Sequence, residues 1–226
     1  SLSDQSLYRL DSATAPASSL VTTTPAGALV NSSLWIKLTS DSTSSPGSTS
    51  RRICSTQCFY DLVVAAPARE PNTVIVGGVA TPDFGEPTIR STNAGVSFSG
   101  FGNDAQSSRN ASHVDVRAVV FHPRDSRIAF VGSDGGVVRN DGTFVHLGNR
   151  CAQLFPNAPQ CQTALSAVPN RLYFLNKGLQ TLQFYNIALD PQAPLQRMMG
   201  GLQDNSTIWI DGTGSARVWK AVFPFG

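Results

Sequence analysis

Few side chains in this sequence are of the kinds that acid/base, nucleophilic or metal chemistry requires. His113 stands two positions before Asp115, just ahead of the apolar run that begins at Val116. Set there, the pair would serve as an acid/base couple or as part of a metal ligand set, or would pin a long loop by hydrogen bonds. Glycoside hydrolysis needs two carboxylates facing each other across a sugar, and the candidates are Asp61, Asp115, Asp134 and Asp204. Each stands at a repeat-equivalent strand or turn position, which favours a local hydrogen-bonding role. For Asp134, and for Asp204 with Asn205 beside it, turn closure and ligand contact are the two readings. His122 and His146 stand alone. Tyr60, Tyr185, Trp35, Trp209 and Trp219 would stack on sugars or fill sheet cores. No Gly-rich phosphate loop, Gly-x-Ser-x-Gly elbow or His-Glu-x-x-His pattern is present, and no cofactor or metal is expected.

Four cysteines fall in two close pairs, Cys54 with Cys58 and Cys151 with Cys161. Even counts in local pairs suit short disulfide-closed loops in an oxidising compartment. Free thiols and a zinc site are the alternatives, although the spacings lack the tight knuckles of structural zinc. Asn31, Asn110 and Asn205 each open an Asn-x-Ser/Thr triplet that a secretory pathway would glycosylate.

Of the 226 residues, 41% are hydrophobic and only 14% charged, with a formal net charge of +2. Average soluble domains carry roughly 25% charged residues, and no basic patch with interleaved aromatics occurs, so a nucleic-acid partner is not expected. The polar surface is built from Ser, Thr, Asn and Gln, a composition common in extracytoplasmic β proteins. The longest apolar runs, Leu62 to Ala68 and Val74 to Ala80, fall far short of the roughly 20 residues a spanning helix needs.

An internal repeat organises the chain around these side chains. Apolar strands Tyr60–Ala66, Arg117–His122 and Tyr185–Asp190 each end at a proline, Pro67, Pro123 or Pro191. A second apolar strand then runs to glycine at Gly77, Gly132 or Gly200, so the offsets from proline to glycine are 10, 9 and 9 residues. Proline stops ladder pairing and glycine permits close packing, so each copy predicts a hairpin buried on both faces. The prolines are 56 and 68 residues apart, longer than a four-stranded blade of about 40 to 50 residues. Ser99 to Ser112 and Gly148 to Pro169 are therefore expected as inserted loops, with a short helical turn at Ala164 to Val168. Leu7–Leu10 and Leu34–Thr39 are expected as two strands of an earlier unit.

After the first glycine pair comes Ser91-Thr92-Asn93-Ala94-Gly95-Val96-Ser97-Phe98. This is similar to the Asp-box pattern Ser-x-Asp-x-Gly-x-x-Trp/Phe, with Asn93 in place of the Asp and Ser91, Gly95 and Phe98 at the other fixed positions. The Asp134-Gly135-Gly136 hairpin and the run from Asn176 to Thr207 extend the likeness, and Asn140 to Phe144 is a degenerate box. Residues 59 to 212 resemble the Asp-box (BNR) β-propellers of the sortilin/VPS10-like, glycosyl-hydrolase-like family. The resemblance implies an all-β fold of four-stranded antiparallel blades, in which the box fastens a turn away from the ligand face. Three to four blades are expected here, part of a larger ring. Residues 1–58 would form a degenerate N-terminal blade and residues 59–226 the repeated blades. The run Trp219 to Gly226 reads as a strand interrupted in mid-pattern, so a longer parent protein is expected.

A sialidase's arginine cluster and Tyr–Glu pair are not recognisable in this sequence. The expected function is therefore a non-catalytic extracytoplasmic propeller that binds a protein partner or acts as a scaffold. The alternatives are a carbohydrate-active propeller and an accessory subunit docked on a membrane-associated complex.

Overall fold

The structure is a computed structural model that describes residues 6–12, 14–106, 110–179, 183–194, 196–203, 206–212 and 219–222. Among the described residues it is all-β, built from antiparallel sheets with short helical segments between them. β1 (Tyr8–Leu10) pairs with β4 (Trp35–Lys37), and β2 (Val21–Thr23) with β3 (Leu29–Asn31). A four-stranded meander follows, of β5 (Val63–Ala65), β6 (Val74–Gly77), β7 (Thr88–Ser91) and β8 (Ser99–Gly100). The second sheet contains β9 (Val116–His122), β10 (Asp125–Ser133) and β11 (Gly136–Asn140). Its fourth strand arrives only after an insertion. That insertion holds β12 (Phe144–Val145), α1 (Cys151–Leu154), α2 (Cys161–Ala164) and β13 (Val168–Pro169), and then β14 (Leu172–Phe174) closes the sheet beside β11. The third sheet is again a meander, of β15 (Phe184–Leu189), β16 (Arg197–Leu202), β17 (Thr207–Asp211) and β18 (Lys220–Ala221).

The three proline-to-glycine repeats form the hairpins β5–β6, β9–β10 and β15–β16. Strand alternation divides β6 between two cores. Ile75 faces the second sheet with Val116, Val119, Ala129 and Val131, while Val76 turns to the other side with Ile53, Ile89 and Phe98. The first sheet is thus buried on both faces, as its unbroken apolar strands require. The glycine pair explains how the layers approach. A Cβ on Gly77 would lie 2.4 Å from Val116 Cγ1, and one on Gly78 would lie 2.7 Å from the Ile53 carbonyl oxygen. The Val116 N–H donates to the Gly78 carbonyl at 3.0 Å, joining the two sheets through backbone.

The second sheet is buried on one face only. Val119, Val131 and Val138 point at the first sheet, whereas the row Val120, Phe130, Arg139 and Tyr173 faces outward, with Val120 62% exposed. On the third sheet Ile208, Ile210 and Leu202 are buried, and Ile187, Leu189 and Met199 stay exposed.

Two expectations need correction. The helical turn lies at Cys151–Leu154 and Cys161–Ala164, and Val168 already belongs to a strand, because the two cysteines anchor each turn at its first residue. Ser99 and Gly100 are strand and not loop, since they pair with Arg90 and Ile89.

Candidate functional site

The residues with chemical potential gather at two places. The first is the end of the first two sheets where β9 begins. Tyr60 and Asp61 precede β5 in a turn whose N–H groups both donate to the Gln57 carbonyl, beside the Cys54–Cys58 disulfide. Arg117, on β9, donates from Nε to Asp134 Oδ1 at 2.8 Å and from Nη2 to Asp134 Oδ2 at 3.4 Å. Its Nη2 also lies 3.5 Å from Oδ1 of the fully buried Asp61, and its guanidinium stacks 3.6 Å above the Tyr60 ring. The Asp134 hydrogen bond is the main cause that raises the Arg117 pKa above its ordinary value. One guanidinium therefore organises two carboxylates and an aromatic face, a planar fork used bidentately.

Asp134 occupies the β10–β11 turn, and His113 rests against the next residue: a Cβ on Gly135 would lie 2.4 Å from His113 Cβ. The His113 Nδ1 sits 3.0 Å from the Val114 carbonyl oxygen. Asp115 takes a positive φ of 61° immediately before β9, where the chain bends into the strand. The fold thus brings His113, Asp115, Asp134, Asp61 and Arg117 to one end of the sheets. Asp204 and Asn205 lie outside the described residues. Phe59, 72% exposed, and Tyr60 present a tilted pair of rings at the edge of this cluster.

The Ser91–Phe98 segment sits elsewhere, in the β7–β8 turn. Ser91 Oγ accepts the N–H groups of Asn93 and Gly95 at 3.2 and 2.9 Å and donates to Asn93 Oδ1 at 2.8 Å. Asn93 Oδ1 also accepts the Ser97 N–H at 3.1 Å, and Phe98 is buried beneath. Cys54–Cys58 and Cys151–Cys161 both form disulfides. Among the described residues no group of three or more His, Cys, Asp or Glu converges as a metal site.

The second place was not singled out from the sequence. Glu86 is one of only two glutamates in the chain, the other being Glu70. Its carboxylate is buried, accepting the Gly102 N–H and the Asn103 Nδ2–H, each at 2.9 Å. Gly100 and Gly102 make room for it, because a Cβ on Gly100 would lie 2.6 Å from Glu86 Cδ. Burial is the largest influence on this group and pushes its pKa up to about 7, against the opposing hydrogen bonds. It lines a hollow of about 160 Å³ with Asp104, Arg150, Leu147, Leu154 and Leu165. Asp104 is also buried and accepts the N–H groups of Gln106 and Leu172. Scarcity of glutamate, together with the Gly-x-Gly that begins fourteen residues downstream at Gly100, was the trace of this site in the sequence.

No known protein family's sequence profile matches this chain, and no curated protein matches it. Among solved structures it is similar to the crystal structure of an ancestral GH74 enzyme, at 12% identity and a TM-score of 0.25. That similarity covers 71% of this chain and 27% of the enzyme's, so the chain spans about a quarter of the length of the structure it matches. Among the described residues no helix is long and apolar enough to cross a membrane. The two disulfides fit an oxidising, extracytoplasmic compartment.

Proposed function

We propose that this chain is part of an extracytoplasmic β-propeller that binds another polypeptide and does not turn over a substrate. In this reading each four-stranded sheet is a blade, residues 59–226 carry the repeated blades, and the segment up to residue 58 is a reduced blade covering the Val76–Ile89 face. The observation that carries the reading is the outward row of the second sheet. Exposed Val120 and Tyr173 and half-buried Phe130 run across its strands with Arg139 in the same row, leaving apolar groups open on that side. Such a patch marks an interface, and the flat side of a sheet suits a strand or sheet of a partner chain. The Asp134 carboxylate supports the non-catalytic half of the reading, since both its oxygens are engaged by Arg117.

Native purification followed by intact mass under non-reducing conditions tests this. A stoichiometric complex that is lost in Val120→Arg supports it. A monomeric protein, with no partner recovered by cross-linking at Tyr173, counts against it. A second reading, carbohydrate binding or hydrolysis, draws on the exposed Phe59–Tyr60 rings beside Asp61 and Asp134. Glycan binding or glycan cleavage abolished by Tyr60→Ala would favour it over the first.

A further inference from the structure

We infer that the outward face of the second sheet binds an extended acidic segment of a polypeptide, whose carboxylates, two residues apart, sit over Arg139 and Arg171. The inference rests on the reading of this face as a docking surface and adds the chemistry of what docks there.

The sheet itself arranges the cations. Arg139 on β11 pairs in register with Tyr173 on β14, and Arg171 stands two residues before Tyr173, on the same side of the chain. Both guanidiniums lie against the Tyr173 ring, 4.9 and 5.5 Å from its centroid. Among the described residues neither one forms an ion pair. The Arg139 Nε is shut off from solvent and has no acceptor. Asp141, whose N–H donates to the Arg171 carbonyl, does not answer them. Its oxygens accept from the N–H and hydroxyl of Thr143 and from Asn170 Nδ2.

This charge selects among the possible occupants. A purely apolar surface laid on the row would strip water from two guanidiniums and give them nothing in return. A second copy packed face to face across a two-fold axis would set the same cations against each other. A carboxylate-bearing segment answers both groups, because each guanidinium is a planar fork that takes a carboxylate through two donors. The spacing also fits. Diagonal neighbours on adjacent strands lie about 7–8 Å apart, and alternate side chains of an extended strand about 6.6–6.8 Å apart. An acidic-x-acidic triplet therefore spans Arg139 and Arg171, and apolar residues beyond it would rest on Phe130 and Val120, the other end of the row.

The test is calorimetric titration of the intact chain at neutral pH with an acetylated, amidated peptide, Val-Thr-Glu-Thr-Glu-Thr-Val-Thr. The controls are the same peptide with Gln for both Glu, a peptide of the same composition with the two Glu adjacent, and a thymidine oligonucleotide as a different polyanion. The first peptide should bind saturably, about tenfold tighter than the Gln form, and tighter than the form with adjacent Glu. Raising sodium chloride from about 50 to about 500 mM should weaken it several-fold. Arg171→Gln, at an exposed position, and Arg139→Gln should each bring its affinity down towards that of the Gln peptide. Equal affinity for the Glu and Gln peptides, no saturable binding, tighter binding of the oligonucleotide, or full affinity in both arginine variants would each overturn the inference. The docking reading fails separately. A native complex that survives both arginine variants and high salt, yet is lost in Val120→Arg, keeps the docking surface and removes the acidic segment. A monomer that still binds the Glu peptide with the expected preference keeps the acidic specificity of the face and removes the stable complex.

Discussion

The Asn140 side chain is hydrogen-bonded to the backbone of Ala129, accepting its N–H at 2.8 Å, while its amide nitrogen donates to the Arg127 carbonyl at 2.9 Å. The ladder between β10 and β11 ends at the Phe130–Arg139 pair, so these two backbone groups of β10 lie just beyond it. The fully buried Asn140 amide continues the contact between β10 and β11 past the end of that ladder. Asn140→Leu would strand the buried Ala129 N–H and remove the partner of the Arg127 carbonyl, at about 1–3 kcal/mol. Urea unfolding should show a lowered midpoint with an unchanged slope, and an unchanged midpoint would deny Asn140 this role.

A comparable substitution separates the two anchors of the β7–β8 turn. Ser91 accepts two backbone N–H groups, whereas Asn93 accepts one from Ser97 and shares the Ser91 hydroxyl. Ser91→Ala should cost about 1–2 kcal/mol. Asn93→Asp, which restores the Asp of the box pattern, keeps both acceptor roles and should change stability by less than about 0.5 kcal/mol. Thermal unfolding of the two variants should place Ser91→Ala clearly below Asn93→Asp. The reverse order would mean that the Asn93 Nδ2 contact to Ser97 Oγ, at 2.9 Å, dominates the turn.

What the sequence disclosed was whatever depends on neighbours along the chain. Alternating apolar runs stopped by Pro67, Pro123 and Pro191 located three hairpins, and the Ser91–Phe98 spacing located a tight turn. Asn140 was read only as the start of a degenerate box, because its partners lie on the neighbouring strand, eleven and thirteen residues back, past the end of the backbone ladder. The carboxylate of Glu86 reaches past β7 to Gly102, sixteen residues on, so its role appears only when the sheet is formed. Similarly, Arg117 was one member of a strand pattern until folding set it between Asp61, Asp134 and Tyr60. The insertion was located, but its helical turns depend on the cysteines' anchorage and on packing of Leu165 with Phe84.

Cys161 is buried with Phe84, Ala164, Leu165 and Val168 in a small core of the insertion's own. That core is too small to hold its loop by packing alone, so the Cys151–Cys161 disulfide should matter more to this segment than to the sheets. Replacing both cysteines by alanine, which avoids burying hydroxyls, should cost about 2–4 kcal/mol locally. Limited proteolysis should then cut within residues 155–160 at a rate well above that of the oxidised protein. Equal cleavage rates would mean that the core holds the loop unaided.

Glu86 makes stability depend on pH in the direction opposite to an ion-paired carboxylate. Its folded pKa of about 7 lies above the ordinary value of 4.5, so between these values the native state holds a proton that the unfolded chain has released. Stability is therefore greatest below pH 4.5 as far as this group is concerned, and it falls as pH rises towards 7. A shift of this size corresponds to a loss of about 3 kcal/mol across the window, an upper figure because local opening would hydrate the carboxylate. Above pH 7 both states are ionised and the contribution is flat. Glu86→Gln keeps an acceptor for the Gly102 N–H and cannot ionise, so it should remove this slope and leave the variant more stable than the parent at pH 8. Chemical unfolding of both proteins at several pH values between 4.5 and 8 decides the matter. Parallel curves would show that Glu86 does not carry the slope. A parent that gains stability over the variant as pH rises would mean instead that Gly102 and Asn103 solvate the charge well enough to hold it ionised.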